Sequence, residues 1–281
     1  MSTPDRIINL SAHPRGMDAY SRERELIPRL ISKATDSYCR TNAKSQEVKV
    51  NTAGSYDIVT DADERAQDIV LKGLAEMFPE DRIIAEEGRD EPLTDARTWI
   101  LDPIDGTLNY DRGVPVFGTQ IVLMLDKQPV FSVISLPALN EEYIADRENG
   151  AFLNGKKLPP LRSRPLKECI VSTGDFSRRK VFWRQKHEEL IGRMRDEVAR
   201  IRMFGAACSD FAFLASGKTD IHIRFVNKLW DFMPGMFLAE VAGAYYDREL
   251  LESTGLLVMC GSESEYLEFK EKVLKDMTLT E

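Results

Sequence analysis

The sequence predicts an α/β fold in which an α+β first half precedes an α/β second half. Three observations carry this. Two stretches with apolar residues at helical spacing come early, a meander of strand and turn signals follows them, and strands alternate with helices after a Pro-rich junction at residues 158–165. That junction divides the chain into halves, 1–160 and 161–281, read as parts of one compact unit.

In order, residues from about Asp18 to Arg40 place Leu26, Ile27, Leu30, Ile31 and Ala34 on one helical face. Residues 41–56 are polar and read as a loop or an exposed hairpin, either a lid over a site or an idle surface segment. Asp61 with Glu64 forms a capping-box pattern for a helix carrying Ala66, Ile69, Val70, Leu74, Met77 and Phe78, and Pro79 lies past its end. Asp63 falls in the first turn, where it could face a metal. The Asp61-Ala62-Asp63 triplet also fits the DxD of haloacid-dehalogenase-type phosphatases, but Glu64 stands where a threonine or valine belongs.

A short strand, Ile83 to Ala85, delivers Glu86 and Glu87, which a surface turn would explain equally well. Trp99 to Leu101 reads as a buried strand delivering Asp102 and Asp105 across Pro103, with a helix able to begin at Gly106-Thr107. Strands are expected at Phe117–Leu125, Pro129–Leu136, Glu141–Arg147 and Gly150–Leu153, with a turn at Asn154-Gly155. The first half is thus two helices against an antiparallel sheet. In the second half, a strand at Cys169–Thr173 precedes a basic helix from Arg178 to Arg200 and a strand at Ile201–Phe204. A turn at Gly205-Ala206-Ala207 leads to a helix at Cys208–Ser216, and a strand at Asp220–Val226 follows. Leu229-Trp230 then delivers Asp231 as the N-cap of a helix reaching about Gly243. His222 is expected on the outer face of its strand, opposite Ile221, Ile223 and Phe225.

Composition narrows the function. A 281-residue chain that is 43% hydrophobic can bury a large core, and its net charge of −8 argues against nucleic acid or an anionic membrane as the main partner. Cys39, Cys169, Cys208 and Cys260 form no CxxC pair and read as reduced thiols of a cytoplasmic protein. No apolar run reaches the roughly 18–20 residues of a membrane span, and the first residues lack a signal-peptide pattern.

The stretch Asp102-Pro103-Ile104-Asp105-Gly106-Thr107 organises the rest. Two carboxylates and the Ile104 carbonyl, with water to complete the shell, are what Mg²⁺ takes, and N–H groups at Gly106 and Thr107 suit a phosphate. Metal-assisted phosphate chemistry on a small phosphorylated metabolite is the expectation; a capped turn with two solvated acids is the alternative. Only three histidines are present, none near an acid motif, which argues against a phosphohistidine route.

Asp102-Pro-Ile-Asp-Gly-Thr-Leu-Asn, Trp230-Asp231 with Gly235, and Glu86-Glu87 resemble the inositol monophosphatase family of Mg²⁺-dependent, lithium-sensitive phosphatases. The resemblance extends through residues 57–63, Gly150 to Gly155 and Gly205-Ala206-Ala207. It implies a layered αβαβα sandwich of the sugar-phosphatase type, a homodimer, and two to three Mg²⁺ per site. By the same resemblance Glu86, Asp102 and the Ile104 carbonyl hold one ion, Asp102, Asp105 and Asp231 a second, and Asp63 serves a third. Glu86 and Thr107 would orient the attacking water. Substrate contacts would come from Asp105, Gly106, Thr107, Gly205, Ala206, Ala207, Arg224 and Asp231. Histidinol phosphatases and nucleoside 3′,5′-bisphosphate phosphatases share these motifs, and a regulatory binding protein on the same scaffold is the non-enzymatic alternative. Two departures stand out. Phe232-Met233-Pro234 follow Trp-Asp where relatives carry small residues, and Arg224 stands where inositol-hydrolysing relatives carry an acid. A guanidinium only donates and prefers anions, so Arg224 points either to a substrate with a second anion or to an outward strand residue.

Overall fold

In a computed structural model that describes residues 20–39, 46–47, 59–88, 91–177 and 180–280, five layers stack as helix, sheet, helix, sheet, helix. Helices α1 (Ser21–Cys39) and α2 (Asp61–Met77) form the first layer, and between them β1 (Gln46–Glu47) pairs antiparallel with β2 (Val59–Thr60). Most of the 41–56 segment, and with it the lid expectation, lies outside the described residues, as do Asp18 and Arg40.

The second layer is a seven-stranded sheet of β3 (Arg82–Ala85), β4 (Thr98–Asp105), β5 (Gly118–Leu125), β6 (Gln128–Leu136), β7 (Glu141–Asp146), β8 (Gly150–Leu153) and β9 (Lys156–Lys157), in that spatial order. It is antiparallel except at one edge, where β3 runs parallel to β4, which corrects the fully antiparallel expectation. The short α3 (Thr107–Arg112) leaves the end of β4. Strand runs such as Trp99-Ile100-Leu101 are continuously apolar because both faces are covered. Trp99, Leu101, Ile121, Leu123, Phe131 and Val133 pack towards α1 and α2, whereas Ile100, Val122, Met124, Ile134 and Leu136 pack towards the middle layer.

That middle layer belongs to the second half. After β10 (Ile170–Thr173), α4 (Val181–Met194) and β11 (Arg200–Arg202) come α5 (Ala207–Ala215), β12 (Ile221–Phe225) and α6 (Leu229–Val241). Then follow β13 (Tyr245–Tyr246), α7 (Arg248–Thr254), β14 (Leu256–Cys260) and α8 (Glu263–Phe269). The second sheet runs β11-β10-β12-β14-β13, with β10 parallel to both its neighbours. Helices α5 and α6 lie between the two sheets, so α6 buries Trp230 and every residue from Phe232 to Ala239 and carries no polar face. Helices α4 and α8 cover the other side of the second sheet through Leu190, Met194, Tyr266 and Phe269. No helix among the described residues is long and apolar enough to cross a membrane.

Three local expectations change. The basic helix stops at Met194, and Arg200 already belongs to a strand. Its expected first residue, Arg178, lies outside the described residues. Helix α6 starts at Leu229 with Lys228 at its N-cap, so Asp231 sits in the first turn and not at the cap, and Pro234 falls one turn further in. His222 is fully buried because α5 covers the face that alternation alone leaves to solvent: its Nδ1 lies 2.9 Å from Ser172 Oγ, and its ring centroid lies 4.6 Å from that of Phe211.

The α5–α6 crossing is close enough to require glycine. A Cβ on Gly235 would sit 2.4 Å from Phe211 Cδ2, whereas one on Gly192 of α4 would meet nothing within 4 Å. Gly235→Ala is therefore expected to lower unfolding free energy by about 1–3 kcal/mol through overpacking, and Gly192→Ala to raise it by about 0.5–1 kcal/mol. Urea denaturation of the two variants checks the opposite signs.

Candidate active site

Strand periodicity alone would separate Asp102 from Asp105. Residues three apart on a strand point to opposite faces. In β4, however, Asp102 pairs with Gln120 and Asp105 with Gly118, so three steps on one strand match two on the other. The extra residue is a β-bulge at Pro103-Ile104. Gln120 and Gly118 share a face, and the bulge therefore returns both acids to the side facing α5 and α6. Thr119 Oγ1 braces it by donating to the Pro103 carbonyl at 2.7 Å, and Tyr38 Oη of α1 lies 2.9 Å from the same hydroxyl.

Each remaining acid arrives at the end of an element. Glu86 follows β3, with its N–H donating to the Leu101 carbonyl at 3.2 Å, beside Asp102 on β4. Asp231 comes from the first turn of α6. Asp105 accepts from the backbone N–H of Cys208 in the first turn of α5 and from that of Gly106. Asp63, in the first turn of α2 and only 2% exposed, accepts from Thr107 Oγ1 at 3.3 Å, and the same hydroxyl lies 2.8 Å from the Ile104 carbonyl. Gly106 is required for its conformation: its φ is +82°, and a Cβ there would lie 2.7 Å from Ala206 Cβ. Asn109 ties the two halves together by donating to the carbonyls of Val116 (2.8 Å) and Phe204 (2.7 Å). This holds Gly205-Ala206-Ala207 against the start of α3.

Glu86, Asp102, Asp105 and Asp231 converge at one buried site, close enough for their charges to act on one another. Burial pushes the Glu86 carboxyl up to about 8, with the Asp231 charge pushing the same way and a hydrogen bond with Asp102 opposing it. Asp102 is raised well above the usual carboxylate range by burial and then by Glu86, Asp105 and Asp231. Asp105 is raised by burial against the lowering by Cys208 N–H and Arg224. Asp231 is raised to about 6 by burial, partly offset by Arg224. Cys208 is held as a thiol by burial and by Asp105, so it is no nucleophile.

The donor set suits a hard cation. It consists of oxygens alone, and Asp102 Oδ1 is buried without a hydrogen-bond partner. Among the described residues no group of three or more His, Cys, Asp or Glu side chains is placed to hold a metal ion. Mg²⁺ does not ask for such a group, since it keeps several waters and takes one or two carboxylates. Arg224 of β12 lies on the same inner face as His222, over Phe211 with its Cζ 5.9 Å from the ring centroid, which rules out the outward orientation.

Sequence reasoning brought Asp63, Glu86, Asp102, Ile104, Asp105, Gly106, Thr107, Arg224 and Asp231 forward; the structure sets Glu86, Asp102, Asp105 and Asp231 within reach of one another's charge, Arg224 near Asp105 and Asp231, and Thr107 between Asp63 and the Ile104 carbonyl. Sequence reasoning missed the supporting residues. Cys208 offered no signal, because its contribution is a backbone N–H. Asn109 stood inside the quoted motif without a role, and Asp210, a buried acid on α5 whose charge interacts with Arg224, looked like any helical acid.

Comparison with known proteins adds the following. A model of the inositol monophosphatase family matches residues 24–268. A fructose-1,6-bisphosphatase/inositol-1-monophosphatase of Thermotoga maritima is 34% identical over 190 residues, covering 68% of this chain and 71% of that protein. A histidinol-phosphatase of Chlorobaculum parvum is 31% identical over 66% of this chain and 70% of its own length. The crystal structure of the extragenic suppressor protein suhB from Bartonella henselae superposes with a TM-score of 0.81 at 25% identity, covering 91% of this chain and all of that one.

The raised carboxylates set a pH dependence. Each holds its proton more tightly in the folded chain than in the unfolded one, so its contribution to stability is full below the ordinary value and lost as pH rises through the folded value. For Glu86 that window runs from 4.5 to about 8, and for Asp231 from 3.8 to about 6. In EDTA the melting temperature is expected to fall between pH 5 and 8 through these groups. Mg²⁺ should raise it more at pH 8 than at pH 5.5, because the cation binds the deprotonated acids. Thermal melts across pH with and without Mg²⁺ check this, and a Mg²⁺ effect that shrinks towards pH 8 would contradict it.

Proposed function

Because the chain belongs to the inositol monophosphatase family and is a phosphoric monoester hydrolase, we propose that it cleaves a small polyol, sugar or inositol phosphate with Mg²⁺ at this cavity. The observation that carries the reading is the convergence of Glu86, Asp102, Asp105 and Asp231, drawn from three separated segments, into one cavity where each raises another's affinity for positive charge. Glu86, Asp102 and the Ile104 carbonyl would hold one Mg²⁺, Asp102, Asp105 and Asp231 a second, and Asp63 would serve a third. When bound, such ions lower the pKa of water and neutralise the phosphate and the departing alkoxide.

The protein's own groups do the rest. Thr107 Oγ1, hydrogen-bonded to Asp63 and within 2.8 Å of the Ile104 carbonyl, is fixed to orient the attacking water together with Glu86, which can take its proton. The backbone N–H of Thr107 at the start of α3 would face the phosphate, with that of Gly106 held by Asp105, and Ala206 and Ala207 at the start of α5 would line its far side. Asp105 positions the substrate end of α5 through Cys208. No protein nucleophile is needed, since phosphoryl transfer rests on positioning and charge neutralisation.

The likeness to a histidinol-phosphatase supports a second substrate reading within the same chemistry, an amino-alcohol phosphate. We further propose a cytoplasmic homodimer, which size-exclusion chromatography with light scattering tests. Phosphate release from inositol 1-phosphate, histidinol phosphate, sugar phosphates and nucleotide phosphates is expected to require Mg²⁺ and to be inhibited by Li⁺. Asp102→Asn should lower kcat/KM by about two to three orders of magnitude, since the lost charge removes several kcal/mol of stabilisation. Release that persists in EDTA, or full activity in Asp102→Asn, would overturn the proposal.

A further inference from the structure

The cavity's cation is the feature that a neutral polyol does not explain. Arg224 stands within electrostatic reach of Asp105, Asp210 and Asp231, yet among the described residues it forms no ion pair with any carboxylate. Its terminal Nη1 donates to the backbone carbonyl of Asp231 at 3.3 Å. Its Nε is buried with no hydrogen-bond partner. A guanidinium offers five donors in a planar fork that matches an oxyanion, and this one has most of its fork unspent.

The surroundings hold the group still and leave room beside it. Phe211 lies beneath the guanidinium, and that ring is locked by its contact with Gly235. Behind it, His222 and Ser172 form a buried pair at 2.9 Å, with Asp210 hydrogen-bonded to the same serine. Gly174, just past β10, is the opposing backbone. A Cβ there would fall 3.6 Å from Arg224 Cβ and 4.0 Å from Nε, so the glycine keeps that flank free of side-chain atoms. The position is at the C-terminal ends of the parallel strands β10 and β12, where open α/β sheets bind their ligands.

We propose that Arg224 is a specificity-determining residue that selects substrates whose leaving group carries a second anion, a phosphate or a carboxylate, near the scissile ester. This rests on the phosphatase reading above and narrows its substrate class. An uncharged alcohol gains little from a donor-only group, whereas an oxyanion engages two of its N–H groups at once. Asp210 then acts as a positioning residue, its buried carboxyl hydrogen-bonded to Ser172 behind the guanidinium.

The test compares matched pairs of probes with Mg²⁺: glycerol 2-phosphate against 2-phosphoglycerate, and fructose 1-phosphate against fructose 1,6-bisphosphate. Wild type is expected to favour the member with the second anion by about tenfold or more in kcat/KM. In Arg224→Gln that ratio should fall by about tenfold, chiefly through KM, and Arg224→Lys should restore part of it. Preference within only one pair identifies the second anion as carboxylate or phosphate. Gly174→Leu, which fills the flank without touching a carboxylate, should lower the same ratio and serves if Arg224→Gln does not fold. Equal ratios in wild type and Arg224→Gln overturn the proposal. Should no probe release phosphate, the phosphatase reading fails on its own, and calorimetric titration of the same pairs decides the matter. Tighter binding of the doubly anionic member in wild type but not in Arg224→Gln supports it, and equal binding overturns it.

Discussion

Confining several carboxylates in one poorly solvated cavity is the constraint around which this molecule is built. Each unit by which a carboxyl is raised represents about 1.4 kcal/mol, so carrying Glu86 from 4.5 to about 8 implies several kcal/mol held against the folded state. The cost is tolerated because the layers on either side are densely apolar, and because partial positive charge is aimed inward by the first turns of α5 and α6. The stored repulsion is also what makes a cation worth binding there, so instability and affinity have one source.

The two halves are joined by more than contact between apolar faces. Asn109 reaches from α3 to Phe204 and Asp105 takes the N–H of Cys208, while within the second half Arg224 donates to the backbone of Asp231. The first two links tie the segment that carries Asp102 and Asp105 to the start of α5, and the third ties β12 to the segment that carries Asp231. Tyr38 and Thr119 extend this bracing to α1. A side chain some distance from the chemistry thereby acts on the geometry of Asp102.

Much of this was legible in the sequence, for physical reasons that can be named. Helix α2 is long, amphipathic and bounded by Pro79, and the apolar strand runs before Glu86 and Asp102 admit few other readings. What stayed hidden depends on tertiary surroundings. His222 alternates with apolar neighbours and so reads as outward; only the arrival of α5 on that face buries it. Helix α6 is apolar on all sides, which erases the periodicity that would have marked its first residue and displaced Asp231 from the expected cap. The parallel pairing of β3 with β4 follows from a crossover connection that no local pattern encodes. The acids themselves were recognisable as a motif, but the means of turning them to one side was not.

That means has an implication for how the sequence can vary. Because the bulge at Pro103-Ile104 adds one step to β4 against β5, a spacing of three serves here as a spacing of two would on a regular strand. Were the bulge ironed out at the present spacing, Asp105 would turn to the opposite side of the sheet, into the layer filled by α1 and α2. Surface connections elsewhere can gain or lose residues by drift, whereas here a residue can be lost only together with the bulge that accommodates it.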